Sequence, residues 1–457
     1  MILLILNIIR KLVNYMNKSS IIGFFLLSSL IFGSANMMIF EGAAAQDYYN
    51  DETQYMDSFT SGYSDDNNDN SYYNNNNYYP PKDSDNNNKK YVCKDGPFEG
   101  LLTSSVEFCK PDITVPTDFT TIQAAINASN PGDTIKVLPG TYTEQITIGK
   151  SLTIIGSGAK STIINAPAVL NNGVVGGPYI VEIINGAQVS IKGFTISGPE
   201  TSNCGNTLVE GLIGISVQED STLNLDSSIF QDCTFESVRI GSPFFFPNGE
   251  QIGHATITNT LFTDYKAAGI VAFTSGSTAT IIKNNINGEE PSERPGQTGI
   301  VIELGATGIV KNNKISNNIC QVDICGPDYF NEIQSFGIVV DSALGSIVSN
   351  NYVSNNDVGI GVFGTSGCCI VDNNKLIDNR FFGIIISDGE HTISNTKIFG
   401  GNVGVAAIAF SANTIATLDH VKIVGATIPV QELPSGEFTA EVVILPNSFQ
   451  NSKDGKP

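Results

Sequence analysis

An insertion in the second half of the chain combines acidic side chains with an aromatic ring, and chemistry is expected there first. It reads NNICQVDICGPDYFNEIQSFG and covers residues 317–337, with Cys320 and Cys325 placed to close a small disulfide loop. Aromatic rings stack on the apolar faces of sugars, and carboxylates bind sugar hydroxyls or a bridging Ca²⁺. The predicted binding residues of this insertion are Asp323, Asp328, Tyr329 and Glu332.

Two other insertions carry residue types that suit a ligand. Residues 288–299, GEEPSERPGQTG, place Glu289, Glu290 and Glu293 close together. Ca²⁺ takes several oxygen ligands, so one interpretation is a calcium site and the other is a solvated acidic loop. Residues 241–253 hold Phe244 and Phe245 between two prolines, either as binding residues or as a loop packed over the protein surface.

The eight cysteines predict several disulfides. Paired cysteines in an exported chain typically form disulfides, although connectivity cannot be fixed from sequence. The candidate pairs are Cys93 with Cys109, Cys204 with Cys233, and Cys320 with Cys325. The adjacent Cys368 and Cys369 form a vicinal bridge or pack into the core. The three histidines, His254, His391 and His420, are expected to be structural rather than metal ligands.

The charge composition of the chain excludes some classes of binding partner. The 457 residues include 24 Lys and Arg against 45 Asp and Glu, which gives a net charge of −21. Nucleic-acid affinity depends on neutralising phosphates, and anionic lipid head groups repel an acidic surface, so neither is an expected partner. With 41% hydrophobic and 15% charged residues, most of the chain is predicted to be folded.

The N-terminal region predicts export. An apolar stretch at 21–40 follows Arg10, Lys11 and Lys18 and precedes small residues at 43–45. This pattern favours a cleaved signal peptide over an uncleaved membrane anchor, which would be the only membrane contact. Met16 is the hypothesised start, since it leaves a shorter leader. Residues 46–90 are rich in Asn, Asp, Ser and Tyr and predict a disordered spacer.

From residue 118 onwards the sequence repeats. A glycine followed by Ile or Val begins a short β-rich run, and the last four such glycines are 22, 24 and 21 residues apart. An Asn pair follows four of the repeated glycines at an offset of 13 to 15 residues and predicts turns and stacked side-chain hydrogen bonds. Units of this length with three short strands and no helix predict a parallel β-helix, whose insertions tend to lie on one binding face. The repeat glycines are Gly214, Gly269, Gly299, Gly337, Gly359, Gly383 and Gly404.

The segment that opens the repeats resembles the N-terminal part of the right-handed parallel β-helix, pectin lyase-like superfamily. It consists of a short helix at 122–128, then PGTYTE at 139–144 and LTIIG at 152–156. The resemblance covers about Val115 to Val430 and implies an all-β, single-stranded right-handed solenoid with an N-terminal helical cap. It does not imply one chemistry, because this fold supports lyases, hydrolases, esterases, epimerases and non-catalytic proteins.

No enzyme motif of that superfamily is present. The chain has no Trp, lacks the acidic motifs of polygalacturonases, and has only three Arg after residue 18. The sequence therefore favours an exported, monomeric, non-catalytic module that binds an extracellular or cell-wall glycan or forms part of the envelope, with no cofactor unless calcium. A polysaccharide lyase or glycoside hydrolase with an unfamiliar site is the alternative, and a structural adhesin or spacer is the second. The predicted segments are a signal or anchor at 1–45, a spacer at 46–90, a Cys-bounded segment at 91–114, the β-helix at 115–430 and a C-terminal cap at 431–457.

Overall fold

The protein is described by a computed structural model over residues 91–92, 102–103, 112–174, 177–199, 211–243, 249–288, 296–321, 323, 325–364, 367–446 and 449–452. The predicted leader and spacer lie outside the described residues. Two short strands, β1 Tyr91–Val92 and β2 Leu102–Thr103, pair antiparallel in a unit of their own. Within the described ranges, no helix has the length and apolarity needed to span a bilayer.

One short helix, α1, covers Ile122–Ala128 where the sequence predicted it. The Thr121 hydroxyl accepts a hydrogen bond from Ala124 N at 3.1 Å, which caps the first turn. The carboxylate of Glu144 accepts two more, from Ile122 N at 2.9 Å and Gln123 N at 2.8 Å. The last residue of the PGTYTE motif thus satisfies the free N–H groups of the helix, which explains why the two elements occur together.

Beyond this helix the chain winds into a parallel β-helix, as predicted. Each coil contributes one strand in turn to a first, a second and a third sheet, and neighbouring strands within each sheet are parallel. The third sheet has 11 strands, so there are eleven complete coils. The final strands β36 to β38, with the bounds given below, continue all three sheets to Ser452.

The first sheet consists of β3 Ile113–Val115, β4 Thr134–Val137, β7 Leu152–Gly156, β10 Gln188–Lys192, β13 Ser221–Asp226, β16 Gly253–Thr258, β19 Thr278–Ile282, β22 Thr307–Lys311, β25 Ser346–Ser349, β28 Cys369–Asp372, β31 Gly389–Ser394, β34 Thr414–Asp419 and β37 Ala440–Ile444. The second sheet consists of β5 Gly140–Thr143, β8 Thr162–Asn165, β11 Thr195–Ser197, β14 Ile229–Gln231, β17 Leu261–Phe262, β20 Asn285–Asn287, β23 Lys314–Ser316, β26 Tyr352–Ser354, β29 Lys375–Ile377, β32 Lys397–Phe399, β35 Val421–Val424 and β38 Phe449–Ser452. The third sheet consists of β6 Ile146–Ile148, β9 Tyr179–Ile183, β12 Ile213–Val217, β15 Thr234–Ile240, β18 Tyr265–Phe273, β21 Thr298–Glu303, β24 Phe336–Asp341, β27 Val358–Phe363, β30 Phe382–Ser387, β33 Val403–Ile408 and β36 Ile428–Leu433.

Stacks of identical side-chain positions fill the interior. In the second sheet one inward position is aliphatic in six successive coils, and each side chain lies in register with the next and is buried. Burying one such side chain contributes about 1.5–3 kcal/mol, so the stacks are a main source of stability. The residues of this stack are Ile286, Ile315, Val353, Leu376, Ile398 and Ile423.

Buried asparagines form the predicted ladder of hydrogen bonds between coils. Asn284 Nδ2 donates to Asn313 Oδ1, Asn313 Nδ2 to Asn351 Oδ1, and Asn351 Nδ2 to Asn374 Oδ1, each at 3.1 Å. Each Oδ1 also accepts the backbone N–H of the preceding coil's asparagine, so the side chain holds two coils together. A second ladder, at the next turn of the coil, consists of Asn318, Asn356 and Asn379.

The repeated glycines allow the coils to approach closely. They lie within third-sheet strands, where a Cβ on Gly337 would lie 2.7 Å from the carbonyl oxygen of Gly359. A Cβ on Gly359 would likewise lie 2.6 Å from the carbonyl oxygen of Gly383. Side chains cannot occupy such space, so this position requires glycine in coil after coil.

Candidate functional site

The outer face of the third sheet is covered, unlike the outer faces of the other two sheets. From β12 to β33 nearly every residue of the third-sheet strands is buried, on both the inner and the outer side. All three predicted insertions connect directly to a third-sheet strand. Two of them precede such a strand and the one at 241–253 follows β15, so the insertions flank one sheet.

One row of outward residues on this sheet mixes aromatic, acidic and aliphatic side chains. We call it the outer row. In each coil that has a repeat glycine, the residue of the outer row lies four positions after that glycine, as Asp341 does after Gly337. Register places Asp341 beside Phe363 and Phe363 beside Ser387, and the pair Ile302–Val340 places Glu303 beside Asp341. The outer row consists of Phe273, Glu303, Asp341, Phe363, Ser387, Ile408 and Leu433.

Aromatic rings from the 317–337 insertion pack against this row. The Tyr329 ring stacks on Phe363 with 6.5 Å between centroids, and its hydroxyl bonds the Ser387 side chain. Burial raises the pKa of the Tyr329 phenol above its ordinary value. Phe336 meets Phe363 edge-on at 5.9 Å. These contacts fasten the insertion over the sheet.

Two rings remain partly open to solvent at the edge of this cluster. Phe330 is 37% exposed and Phe410 is half-buried. Their centroids are 6.4 Å apart and their planes differ by 14°, so the rings are nearly parallel. We call this pair the aromatic platform. Parallel, partly exposed rings of this kind suit stacking on a flat apolar face of a ligand.

Asp388 fixes one half of the platform. Its Oδ1 accepts hydrogen bonds from the backbone N–H groups of Phe410 at 2.8 Å, Ser411 at 2.9 Å and Ala412 at 3.0 Å. Its Oδ2 accepts from the Ser411 hydroxyl at 2.9 Å. The backbone that carries Phe410 is therefore held by four bonds to one carboxylate.

The two acids of the outer row are perturbed by burial. Burial, opposed by a hydrogen bond from the Ser342 hydroxyl and assisted by the charge of Asp388, raises the pKa of Asp341 to about 6. Glu303 is 2% exposed, and burial together with the charges of Asp341 and Glu236 raises its pKa well above its ordinary value. Burial therefore acts in the same direction on both carboxyl groups of the pair.

A fully buried ion pair lies three coils before Asp341 on the same face. Arg239 Nε donates to Glu236 Oε2 at 2.6 Å, and both side chains are inaccessible to solvent. Charges buried this deeply are retained only when they are paired, since desolvation otherwise costs several kcal/mol. The pair extends the polar character of the outer face towards the N-terminal coils.

Asp357 anchors the insertion that carries Phe330. Its Oδ2 accepts from Cys320 N and from Ser335 N, each at 3.0 Å, so one carboxylate oxygen holds both ends of the loop. Arg380 Nη2 forms an ion pair with Asp357 Oδ1 at 2.9 Å and donates a hydrogen bond to the Cys320 carbonyl at 2.8 Å. The loop's position thus depends on a residue of the next coil.

The predicted binding residues of this insertion mostly shape the loop. Asp328 Oδ1 accepts from Phe330 N at 3.0 Å, and Glu332 Oε2 accepts from Asp328 N at 2.8 Å. Asp323 is exposed at the tip, and Tyr329 is packed inward as described above. The disulfide between Cys320 and Cys325 is confirmed.

Most of the other predicted site and disulfide residues lie outside the described residues. Cys233 is disulfide-bonded, but Cys204, with which it was predicted to pair, lies outside the described residues. The remaining candidates outside the described residues are Cys93, Cys109, Phe244, Phe245, Glu289, Glu290 and Glu293. Their roles stay predictions.

A separate cluster of thiols and imidazole lies near Asp341. Cys368 and Cys369 are free cysteines, and Cys368 Sγ lies 3.8 Å from His391 Nδ1. A hydrogen bond from the Cys369 thiol lowers the pKa of Cys368 to about 6, despite burial, and His391 acts in the same direction. His420 is exposed and contacts Asp419 instead, so the histidines do not form one stack.

Sequence reasoning missed Glu303, Asp341, Phe330, Phe410 and Asp388. A signal for the two acids was present, since each stands four residues after a repeat glycine, in GIVIE and GIVVD. No comparable signal marked Phe410, which lies in an ordinary turn between β33 and β34. Only the stacking of coils brings that turn to the insertion that carries Phe330.

The comparisons with known proteins agree with this architecture. Residues 244–420 match the family model described as right handed beta helix region. No curated protein matches the chain. The right-handed parallel β-helix predicted from the sequence is therefore confirmed, and no specific enzyme family is identified.

Several solved structures are similar to the chain at low identity. The A-module of mannuronan C-5 epimerase AlgE6 from Azotobacter vinelandii is 13% identical, with 73% of this chain and 95% of that chain covered and a TM-score of 0.41. The Dettilon tailspike protein is 15% identical, with 74% and 66% covered and a TM-score of 0.46. The catalytic domain of a GH87 α-1,3-glucanase in complex with tetrasaccharides is 12% identical, with 78% and 71% covered and a TM-score of 0.45. At these identities and TM-scores the likeness does not extend to activity or ligand.

Proposed function

We propose that the protein binds a glycan at the aromatic platform and acts as a non-catalytic binding module. The observation that carries this proposal is the pair of nearly parallel, partly exposed rings of Phe330 and Phe410. The C–H face of a pyranose stacks on such rings. The four bonds to Asp388 fix Phe410 before any ligand arrives, which lowers the entropic cost of binding.

The charge of the protein favours a neutral glycan. The net charge is −21, and the Asp388 carboxylate binds the backbone of Phe410 at the platform. A polyanionic chain would be repelled at this surface, whereas a neutral polysaccharide would lose nothing to repulsion. The ligand class that fits is a neutral extracellular or cell-wall glycan.

A glycan array followed by calorimetry on the best neutral glycan tests the proposal. Phe330→Ala and Phe410→Ala should each weaken binding by about 10-fold, since a ring stacked on a ligand contributes about 1–1.5 kcal/mol. Tyr352→Ala is the matched control, because Tyr352 is 36% exposed on the second sheet, away from the insertions. Absence of any glycan signal, or equal losses in Tyr352→Ala and Phe330→Ala, would contradict the proposal.

A second candidate, hydrolysis or elimination on a polysaccharide, is favoured by the carboxyl pair of the outer row. Glu303 and Asp341 lie on adjacent strands that are about 4.8 Å apart, and burial raises the pKa of both carboxyl groups. A pair of neighbouring carboxyl groups, one of them with a raised pKa, is what the general acid and nucleophile roles require. Release of reducing ends or unsaturated products that disappears in Asp341→Asn, with glycan affinity retained, would support this candidate over the binding module.

We further propose that the protein is exported, as the N-terminal pattern predicts. The disulfide between Cys320 and Cys325 and the bonded state of Cys233 support this, because disulfides persist in oxidising compartments. Expression in the native host with detection in the medium or on intact cells tests it. Recovery only from the reducing cell interior, with Cys320 and Cys325 alkylated as free thiols, would contradict it.

A further inference from the structure

Three potential metal-binding atoms lie close together near Asp341. The sulfurs of Cys368 and Cys369 and a ring nitrogen of His391 all lie within 4.8 Å of one another. The two sulfurs are 2.8 Å apart, and neither belongs to a disulfide. Cys368 and His391 are buried, and Cys369 is 9% exposed. Nothing in the proposed glycan site uses these groups.

Strand register explains how the donors come together. Cys369 begins β28 and His391 is the third residue of β31, and the pairing of Val371 with Ile393 places them opposite each other. The neighbours in the coils before and after are small, since Cys369 pairs with Ser346 and His391 with Ala416. The donors therefore face a part of the interior where large side chains do not fill the space.

The orientation of His391 is fixed by a backbone carbonyl. Nε2 lies 3.3 Å from the Gly364 oxygen, which can only accept, so Nε2 carries the proton of the neutral ring. The lone pair of Nδ1 then points towards Cys368 Sγ at 3.8 Å. Metal-bound histidines commonly have this arrangement, with one nitrogen donating to a carbonyl and the other free to bind.

We propose that Cys368, Cys369 and His391 bind one thiophilic metal ion, Zn²⁺ or Cu⁺. Metal–sulfur bonds of about 2.3 Å and metal–nitrogen bonds of about 2.0 Å let three atoms this close reach one centre once the sulfurs separate to about 3.7 Å. Side-chain rotation at the two cysteines supplies that separation. Binding displaces the two thiol protons, and the resulting thiolates balance the cation in a site closed to water.

The donor set selects the class of metal. Thiolate and imidazole ligands favour Zn²⁺ and Cu⁺, whereas Ca²⁺ and Mg²⁺ require several oxygen ligands. This site is therefore distinct from the calcium site that the sequence predicted at Glu289, Glu290 and Glu293. Both ions named here are d¹⁰, so neither imposes a geometry that the strands could not meet.

Metal titration of the full secreted chain, purified after chelator treatment, tests the proposal. Zn²⁺ and Cu⁺ are titrated in separate experiments against chromophoric competitors, and Co²⁺ is used as a spectroscopic probe. One equivalent of Zn²⁺ or Cu⁺ should bind, and Co²⁺ should give a sulfur-to-metal charge-transfer band. This titration uses the wild-type protein alone, so its result does not depend on whether any variant folds.

Variants then locate the ligands. Cys369→Ser and His391→Gln should each weaken metal binding by about 100-fold, with circular dichroism confirming the fold. His420→Asn is the matched control, because His420 is an exposed histidine one coil further on, at a positive φ that Asn tolerates, and it should bind like the wild type.

Three results would overturn the proposal. The first is a wild-type chain that binds none of the three ions, and the second is binding that persists in both ligand variants. The third is recovery of Cys368 and Cys369 as a disulfide-linked pair in peptides from unreduced protein, since oxidised sulfurs are not available as thiolates.

Discussion

Burial sets the charge state of Asp341, and the site's response to pH follows from it. The folded-state pKa of about 6 lies above the ordinary value of 3.8, so the folded chain holds this proton more tightly than the unfolded chain. The contribution of Asp341 to stability is present in full below about pH 4 and is lost as pH rises through 6. At neutral pH the ionised carboxylate is a cost to the fold.

Replacement of this carboxyl by an amide should therefore stabilise the protein at neutral pH. Asp341→Asn keeps an acceptor for the Ser342 hydroxyl and removes the buried charge. The variant should gain about 1–2 kcal/mol relative to the wild type between pH 4 and pH 7.5, after allowance for the partial exposure of the side chain. Urea unfolding of both proteins at about pH 4 and about pH 7.5 measures this change. The same difference in the free energy of unfolding at both pH values would contradict the prediction.

The asparagine ladder concentrates several hydrogen bonds on single residues. Asn351 Nδ2 donates to the Val310 carbonyl and to Asn374, and its Oδ1 accepts from the backbone and side chain of Asn313. Asn351→Ala leaves buried groups of three coils without partners and should lower the free energy of unfolding by about 2–4 kcal/mol. Urea unfolding checks this value.

The control for the ladder is Asn285→Ala. Asn285 lies in β20 with its side chain exposed, so its loss should change stability by less than about 0.5 kcal/mol. Equal effects of the two substitutions would show that the ladder contributes no more than a surface asparagine.

At the scale of elements, insertions are held by residues of neighbouring coils rather than by their own sequence. The loop from Cys320 to Ser335 closes on one oxygen of Asp357, in the turn before β27. The sequence could predict the disulfide inside this loop from the spacing of its cysteines. It could not predict the anchor, because an aspartate after two asparagines looks like any other turn residue.

Loss of the anchor should loosen the loop before it unfolds the coils. Asp357→Ala leaves two buried N–H groups without an acceptor and Arg380 without its partner, which should cost about 2–4 kcal/mol. Limited proteolysis should cut residues 321–334 faster, and affinity for the glycan should fall with it. Asp323→Ala, at an exposed position of the same loop, should leave the rate of proteolysis unchanged. Unchanged proteolysis in Asp357→Ala would rule out the anchoring role.

At the scale of the whole molecule, the negative net charge of the protein favours binding of neutral ligands over anionic ones. With a net charge of −21, binding of a neutral glycan should change less than about twofold between low and high salt, because no net charge is brought together. Binding of an anionic polysaccharide should be weak and should improve as salt screens the repulsion. Calorimetry at about 50 and about 500 mM NaCl measures both affinities, because electrostatic screening differs strongly between these two salt concentrations. Tight binding of the polyanion at low salt would contradict it.

The architecture was predictable because each repeat carries its own physical signature. Gly337 and Gly359 mark places where coils touch through backbone, and Asn313 and Asn351 mark the ladder. These requirements are local to one coil and its neighbour, so they leave a visible period in the sequence.

The candidate site was less predictable because it depends on how many coils separate two segments. Phe330 and Phe410 come from different turns, and only the number of intervening coils brings their rings together. The outward direction of Asp341 likewise follows from strand register, since Phe, Ser and Ile occupy the same position in neighbouring coils. Pattern alone did not distinguish a site residue from a surface residue there.

The close approach at the repeat glycines also bears on how such a chain changes length over evolution. Each glycine Cα faces the carbonyl oxygen of the next, from Gly269 to Gly404, and the asparagine and aliphatic stacks repeat the same contacts. A duplicated or deleted stretch of one full coil therefore meets matching partners at both joins, whereas a partial coil shifts every later contact out of register. Descendants of this gene can lengthen or shorten only in whole coils, while their surface loops diverge independently.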